Sequence, residues 1–236
     1  MTEWFRRKDQ NINTPTKRDT KEGMWVKCPD CGEVVYSNLL ISTYYLCSSC
    51  SYHFNYSSQQ YIDLLLDKED RVNIGNNIFS NDPLKFSGLK EYKDQLEIAQ
   101  NKTKTNDAIM AFVGKINDLP LVLATLNFSF IGGSMGSVVG EVIGQSIDYA
   151  YERKVPLLII SASGGARMQE GAISLMQLAK TSSKMSRFSK NGGLYISLLT
   201  NPTMGGASAS FSMQGDIIIA EPNALIGFAG QRVIKQ

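Results

Sequence analysis

The sequence predicts an α/β domain, a largely parallel sheet under helical cover, preceded by a small module stapled by cysteines. Three observations carry this. From Asp107 onward, short apolar runs alternate with stretches whose apolar residues recur at helical spacing. Glycine-bearing junctions at 131–137, 163–167 and 202–207 join those runs to the helical stretches after them. All four cysteines fall between positions 28 and 50.

With 236 residues and a formal charge of +2, the chain can hold one substantial core plus a small module. The near-neutral balance argues against a strongly electrostatic nucleic-acid binder. Residues 1–23 are polar and carry Arg6, Arg7, Lys8, Lys17, Arg18 and Lys21, which reads as a flexible, solvated basic arm. No run approaches the roughly 18 apolar residues of a membrane-spanning helix, and no apolar core of a secretory signal follows Met1. The expected organisation is the arm, a ribbon over 24–56, a connecting region over 57–106 and the main domain over 107–236.

Cys28-Pro29-Asp30-Cys31 and Cys47-Ser48-Ser49-Cys50 are two C-x2-C knuckles separated by residues 32–46. That spacing suits a four-thiolate zinc site. Four thiolates close a tetrahedral shell and leave no position for a substrate, so the zinc is structural. Val34, Val35, Tyr36, Leu39, Ile41, Tyr44, Tyr45 and Leu46 between the knuckles read as a strand pair, which makes the module a zinc ribbon. His53 reads as packed beside the ribbon rather than as a ligand.

In the connecting region, 58–66 reads as a short helix, 73–83 as a loop rich in Asn and Gly, and 92–102 as a surface helix. In the main domain, strands at 111–116 and 121–128 flank the turn Asn117-Asp118. A helix follows at 137–153, a buried strand at 156–161 and a helix at 170–188. The pattern closes with a strand at 194–200, a short helix at 207–213 and strands at 216–220 and 225–228.

In such sheets ligands sit beyond the carboxyl ends of the strands. Gly164-Gly165 and Gly205-Gly206 lie at two such ends, where main-chain N–H groups can converge on one oxygen. Helices starting within a few residues are expected to add positive potential there. Gly132-Gly133 and Gly136 are equally suited to a tight turn and close packing. With His53 the one histidine, no Ser-His-Asp or Cys-His catalytic set is available to the main domain. Glu141, Glu170, Asp216 and Glu221 are carboxylates near the loops, as suited to capping or ion pairing as to acid–base work. Arg167 has two open roles, an ion pair with Glu170, or holding an anionic ligand or the loop itself.

The four-cysteine ribbon, the 131–137 segment, Ser161-Ala162-Ser163-Gly164-Gly165-Ala166-Arg167-Met168-Gln169-Glu170 and Gly227-Phe228-Ala229-Gly230-Gln231-Arg232-Val233-Ile234 together resemble the β subunit of the bacterial and plastid acetyl-CoA carboxylase carboxyltransferase. The resemblance runs from about Trp25 to the last residue. It implies a crotonase-like spiral of ββα units. It also implies carboxyl transfer from carboxybiotin to the methyl carbon of acetyl-CoA, giving malonyl-CoA for fatty acid biosynthesis.

On the same footing, Gly164, Gly165, Ala166, Gly205 and Gly206 are expected to form the enolate hole. Gly132, Gly133, Ser134 and Arg167 are expected to line or position the coenzyme. Cys28, Cys31, Cys47 and Cys50 would hold one Zn2+. Biotin would arrive on a carrier protein. The implied partners are a carboxyltransferase α subunit in an α2β2 assembly, the biotin carboxyl carrier protein and biotin carboxylase, in a plastid stroma or bacterial cytoplasm. Ile131 and Met204 depart mildly from the family pattern. The family also continues past the position of Gln236, so the chain is expected to be C-terminally incomplete. Two other readings remain open. One is a zinc-ribbon nucleic-acid-binding or regulatory protein with a degenerate enzyme domain, motivated by the basic arm and aromatic ribbon. The other is a different crotonase-fold enzyme, which would need a side-chain acid or base in its cleft.

Overall fold

The computed structural model describes residues 24–230 together with 234 and 235. The basic arm at 1–23 and residues 231–233 of the last motif lie outside the described residues. The chain divides into two compact units, one ending at Phe54 and the other beginning at Asn55.

In the first unit, β1 (Trp25–Lys27) pairs antiparallel with β2 (Val34–Tyr36), and α1 (Ser37–Ser42) follows at once. The expected strand pair between the knuckles is therefore corrected. Its second strand lies before Cys28, and the Leu39-Leu40-Ile41 run is helical with Leu40 alone buried. The two knuckles repeat one backbone design. Cys28 N–H donates to Glu33 O (2.7 Å) and Cys47 N–H to Tyr52 O (2.9 Å), five residues on in each case. Gly32 N–H returns to Cys28 O and Ser51 N–H to Cys47 O, from left-handed positions at φ 76° and 60°.

In the second unit a seven-stranded sheet runs β3-β4-β5-β6-β7-β8, with β9 also on β7. Ahead of it, α2 (Ser58–Leu65) starts at a reciprocal cap between Ser57 and Gln60. β3 (Val72–Ile74) pairs with the next strand, a correction to the loop expected at 73–83, because three residues are too few to show alternation. α3 (Tyr92–Thr103) follows. β4 (Ile109–Ile116) and β5 (Leu119–Leu126) form the expected hairpin about Asn117 and Asp118, both left-handed.

Then come α4 (Ser137–Arg153), β6 (Leu157–Ser163), α5 (Gly171–Lys190), β7 (Tyr195–Met204), α6 (Gly205–Ser208), β8 (Ile217–Ala220) and β9 (Ile226–Gly227). Pairing is parallel from β5 through β8. The helix expected at 207–213 is instead α6 plus a separate single turn, Phe211–Met213.

The main core lies between the sheet and α3, α4 and α5. Val122, Ala124 and Leu126 of β5 meet Val138, Val139, Val142, Ile143 and Ile147 of α4, all essentially sealed from water. Each Val, Leu or Ile side chain among them contributes about 1.5–3 kcal/mol on burial. On the other face, Tyr61 and Ile62 of α2 pack against Leu121, Leu123 and Ile160. This two-sided cover fixes β6 and β7, whose carboxyl ends carry the glycine junctions.

Candidate active site

The loop after β6 and the start of α6 meet directly. A Cβ placed on Gly165 would lie 3.2 Å from both Gly205 Cα and Gly206 N. One placed on Gly205 would lie 3.1 Å from Gly165 Cα. Both residues also have positive φ, +119° and +57°, which L side chains rarely adopt. The two glycine pairs thus let the backbones touch.

The peptide carbonyls here are fixed. Gly165 O accepts from Met135 N–H at 2.8 Å, and Gly205 O from Ala209 N–H at 2.9 Å. In a trans peptide the N–H points opposite to the carbonyl, so these bonds aim the N–H groups of Ala166 and Gly206. No hydrogen bond among the described residues uses either of those N–H groups. A Cβ on Gly206 would lie 3.1 Å from Ala166 N, so the two donors are neighbours.

The remaining amides of the two glycine pairs are engaged. Gly164 N–H donates to Gly132 O (2.9 Å), Gly165 N–H to Ser163 Oγ (3.1 Å) and Gly205 N–H to Phe228 O (3.1 Å). The five residues expected at the hole are therefore brought together, with Ala166 and Gly206 as the ones whose donors stay open. The helix expected from 170 begins at Gly171, and α6 begins at Gly205 itself but spans only four residues, too short to add much potential. The site is local peptide geometry.

Gly132 and Gly133 form the opposite wall of the β6 loop. A Cβ at Gly133 would overlap the Ala162 carbonyl oxygen, so close approach accounts for that glycine. Ser134 and Arg167 belong to a buried cluster. Arg167 is fully buried, and all three of its guanidinium nitrogens are engaged. Nε donates to Ser134 Oγ (3.1 Å), and Nη2 to Asp107 Oδ1 (2.6 Å) and Ser134 O (2.9 Å). Nη1 donates to Asp107 Oδ2 and the Tyr92 hydroxyl, both at 2.9 Å. Burial pushes the guanidinium's pKa down, but the Asp107 carboxylate outweighs it and holds the pKa above its ordinary value. A side chain enclosed in this way presents no face to a coenzyme phosphate. Of its open roles, the geometry leaves the ion pair and the fixing of the loop.

Glu170 sits in the same cluster. Oε1 accepts from the Tyr92 hydroxyl (2.7 Å), and Oε2 from Ser137 N–H at the first turn of α4 (2.6 Å). Burial pushes its carboxyl up, yet Tyr92, Ser137 and Arg167 together hold it below the ordinary 4.5. A depressed folded value gives stability that is complete at neutral pH and lost as pH falls below that ordinary value. The melting-temperature gap between the native chain and Glu170→Gln is accordingly expected to narrow on acidification from pH 7 to below 4.5. A gap constant across that window would show that Glu170 is not so stabilised.

The other carboxylates considered from sequence also have structural partners. Glu141 pairs with Lys180, Glu221 accepts from Tyr61, and Asp216 accepts from Tyr195 N–H (2.8 Å). Sequence reasoning alone misses Asp107 and Tyr92. Asp107 stands 60 positions from Arg167 and Tyr92 75, and no local pattern links them.

In the ribbon, the four cysteine sulfurs lie within 4.8 Å of one another. Cys28 and Cys50 are 3.6 Å apart, and Cys31 and Cys47 3.7 Å. A tetrahedron with Zn–S of about 2.3 Å has edges of about 3.8 Å, so the donor set fits zinc. The amides of Ser49 and Cys50 facing the Cys47 sulfur bring its thiol down to about 7, whereas burial pushes the Cys50 thiol up to about 12.

Comparison with known proteins decides the family. Residues 83–236 match the carboxyl transferase domain, and 25–50 match the acetyl-CoA carboxylase zinc finger domain. The acetyl-coenzyme A carboxylase carboxyl transferase subunit beta of Prosthecochloris aestuarii is 49% identical over 98% of this chain and 83% of its own length. The chain belongs to the acetyl-CoA carboxylase carboxyl transferase beta-subunit family. The beta subunit of Pedobacter heparinus is likewise 49% identical, over 99% of this chain. That of Prochlorococcus marinus strain MIT 9515 is 46% identical over the whole chain.

Among solved structures, a transcarboxylase 12S complex with methylmalonyl-coenzyme A superposes with a TM-score of 0.64 at 26% identity. It is matched over 76% of this chain and 32% of its own. A Pseudomonas malonate decarboxylase heterodimer shares the fold at TM-score 0.58 and 22% identity, over 77% of this chain and 68% of its own. The beta-subunit family thus has the crotonase-like carboxyl transferase fold, with the cysteine ribbon ahead of it.

Proposed function

We propose that this chain carries the acyl-CoA half of a carboxyltransferase site, forming malonyl-CoA from acetyl-CoA. The observation that carries this is the pair of neighbouring, open N–H groups at Ala166 and Gly206, each aimed by a fixed carbonyl. Removing a methyl proton from acetyl-CoA puts negative charge on the thioester oxygen. Two preorganised amides there stabilise the enolate more than the ground-state carbonyl, which is what lowers the barrier.

Carboxybiotin, delivered on its carrier protein, supplies the carboxyl group and, through its ureido nitrogen, the base. The chain then needs no histidine or carboxylate of its own, and the four loop carboxylates are already engaged in hydrogen bonds or ion pairs. An α-type subunit in an α2β2 assembly would present the biotin, with biotin carboxylase recharging it. The zinc is one structural ion per chain, on Cys28, Cys31, Cys47 and Cys50. This chemistry belongs to a bacterial cytoplasm or plastid stroma.

A cavity of about 590 Å3 adjoins the loop, lined by Phe86, Leu89, Ile98, Ile131 and Met168, with Lys90 and Lys102. Its lining includes Ile131, just before Gly132, and Met168 and Gln169, just after Arg167, and its volume suits a small ligand. An apolar floor with two exposed lysines matches a pantetheine arm ending in phosphates. The double reversal Lys90→Glu with Lys102→Glu is expected to raise KM for acetyl-CoA about five- to tenfold and leave kcat nearly unchanged. An unchanged KM would place the coenzyme elsewhere.

The function itself is tested by assembling the chain with an α-type subunit. Formation of malonyl-CoA from acetyl-CoA and the carboxylated carrier protein supports the reading. A correctly assembled complex that turns over no CoA thioester overturns it.

A further inference from the structure

We propose that Arg167, with Asp107 and Tyr92, is a positioning cluster that keeps the Gly165–Ala166 peptide from flipping and so keeps the Ala166 N–H aimed into the site. This rests on the oxyanion-hole reading above. The peptide concerned is vulnerable by construction. Gly165 has no Cβ and sits at φ +119°, so little in its own conformation resists rotation of the plane beside it. What sets the plane is one main-chain bond, Met135 N–H to Gly165 O. Its companion, Arg167 N–H to Met135 O at 2.9 Å, completes a two-strand bridge pairing Met135 with Ala166.

The Arg167 side chain then reaches back across that bridge. It bonds both the Oγ and the carbonyl of Ser134, the residue before Met135. Arg167, itself on one strand, therefore grips the other twice, by its backbone N–H at Met135 and by its guanidinium at Ser134. Asp107 holds the guanidinium from a third segment with two bonds of 2.6 and 2.9 Å. Tyr92 of α3 ties it to Glu170, whose other oxygen fixes the first turn of α4. If the bridge opened and the plane rotated, the Gly165 carbonyl would replace the Ala166 N–H in the site and repel the enolate. The cluster touches no substrate and acts through Ala166 alone.

Tyr92→Phe and Asp107→Asn test this in the assembled α–β complex, with acetyl-CoA as the probe and Gly206→Ala as reference. A positioning role predicts that Tyr92→Phe lowers kcat about tenfold at nearly constant KM, and Asp107→Asn lowers it further. It also predicts that each combines with Gly206→Ala less than additively, since both act on one pair of donors. A lowered melting temperature with kcat intact, or fully additive losses, would reduce the cluster to a stabilising one and overturn the proposal. If Asp107→Asn fails to fold, Tyr92→Phe decides, because it keeps the ring and removes one hydroxyl. If Gly206→Ala itself leaves kcat unchanged, the oxyanion-hole reading falls first. A loss with Gly206→Ala but none with Tyr92→Phe or Asp107→Asn removes the cluster's role alone.

Discussion

Gly206→Val is expected to lower kcat for malonyl-CoA formation by about 10²–10³, the loss typical of removing one oxyanion donor. A Cβ at 206 would stand 3.1 Å from Ala166 N and 3.2 Å from Ala166 Cβ, tight enough to force the two segments apart. Two larger γ-methyls behind it would occupy the space where the thioester oxygen is proposed to sit. Gly206 does not have a left-handed backbone conformation, so a side chain there is not strained for its own sake. The damage should therefore be local, with the melting temperature little changed and KM for acetyl-CoA changed less than kcat. Steady-state kinetics on the assembled complex measure this. A kcat within twofold of the native value would mean that the Gly206 N–H does not meet the developing charge.

The second large effect concerns the ribbon. Cys28→Ser, or removal of the metal by a strong chelator, is expected to unfold residues 24–54. The ribbon's buried core consists of Val35 and Leu40 besides Cys28 and Cys47. Two aliphatic side chains supply only about 1.5–3 kcal/mol each on burial. A structural four-thiolate zinc contributes about 10–16 kcal/mol at neutral pH, which decides the balance. Metal analysis should fall from one zinc per chain toward none, and proteolysis should cut between the knuckles. The unit beginning at Asn55 has its own core and should keep its melting transition. A Cys28→Ser chain with full zinc content and a protected ribbon would contradict this.

Most of the main domain is legible in the sequence because its signals are local and long. The helical periodicity over 137–153 has the bounds of α4, since Val138, Val142, Ile143, Ile147 and Ala150 form one buried stripe. The β4–β5 hairpin is marked by its Asn-Asp turn. The elements that escape are short or depend on distant partners. β3 has three residues, and α1 carries three consecutive aliphatic residues, Leu39 to Ile41, that resemble a strand.

The site is legible in part. Paired glycines at two strand ends announce an approach of backbones, and Gly165 and Gly205 do meet. Which amides stay open is hidden, because that depends on acceptors supplied by Gly132, Ser163 and Phe228. Arg167 and Glu170 can be paired from spacing. The bidentate carboxylate of Asp107 cannot, because only the tertiary fold brings it there.

The burial of Arg167 also bears on the order in which the domain can form. Its principal partners lie 33, 60 and 75 residues earlier in the chain. A guanidinium is costly to remove from water until a carboxylate meets it, so the β6 loop cannot settle before Asp107 is in place. On the ribosome, Tyr92, Asp107 and Ser134 emerge first and wait for position 167. The loop should therefore dock in one late, cooperative step that closes α3, the start of β4 and the entry to α4 together. Mutations in any of those segments would then be felt as slower maturation of the site as well as reduced stability.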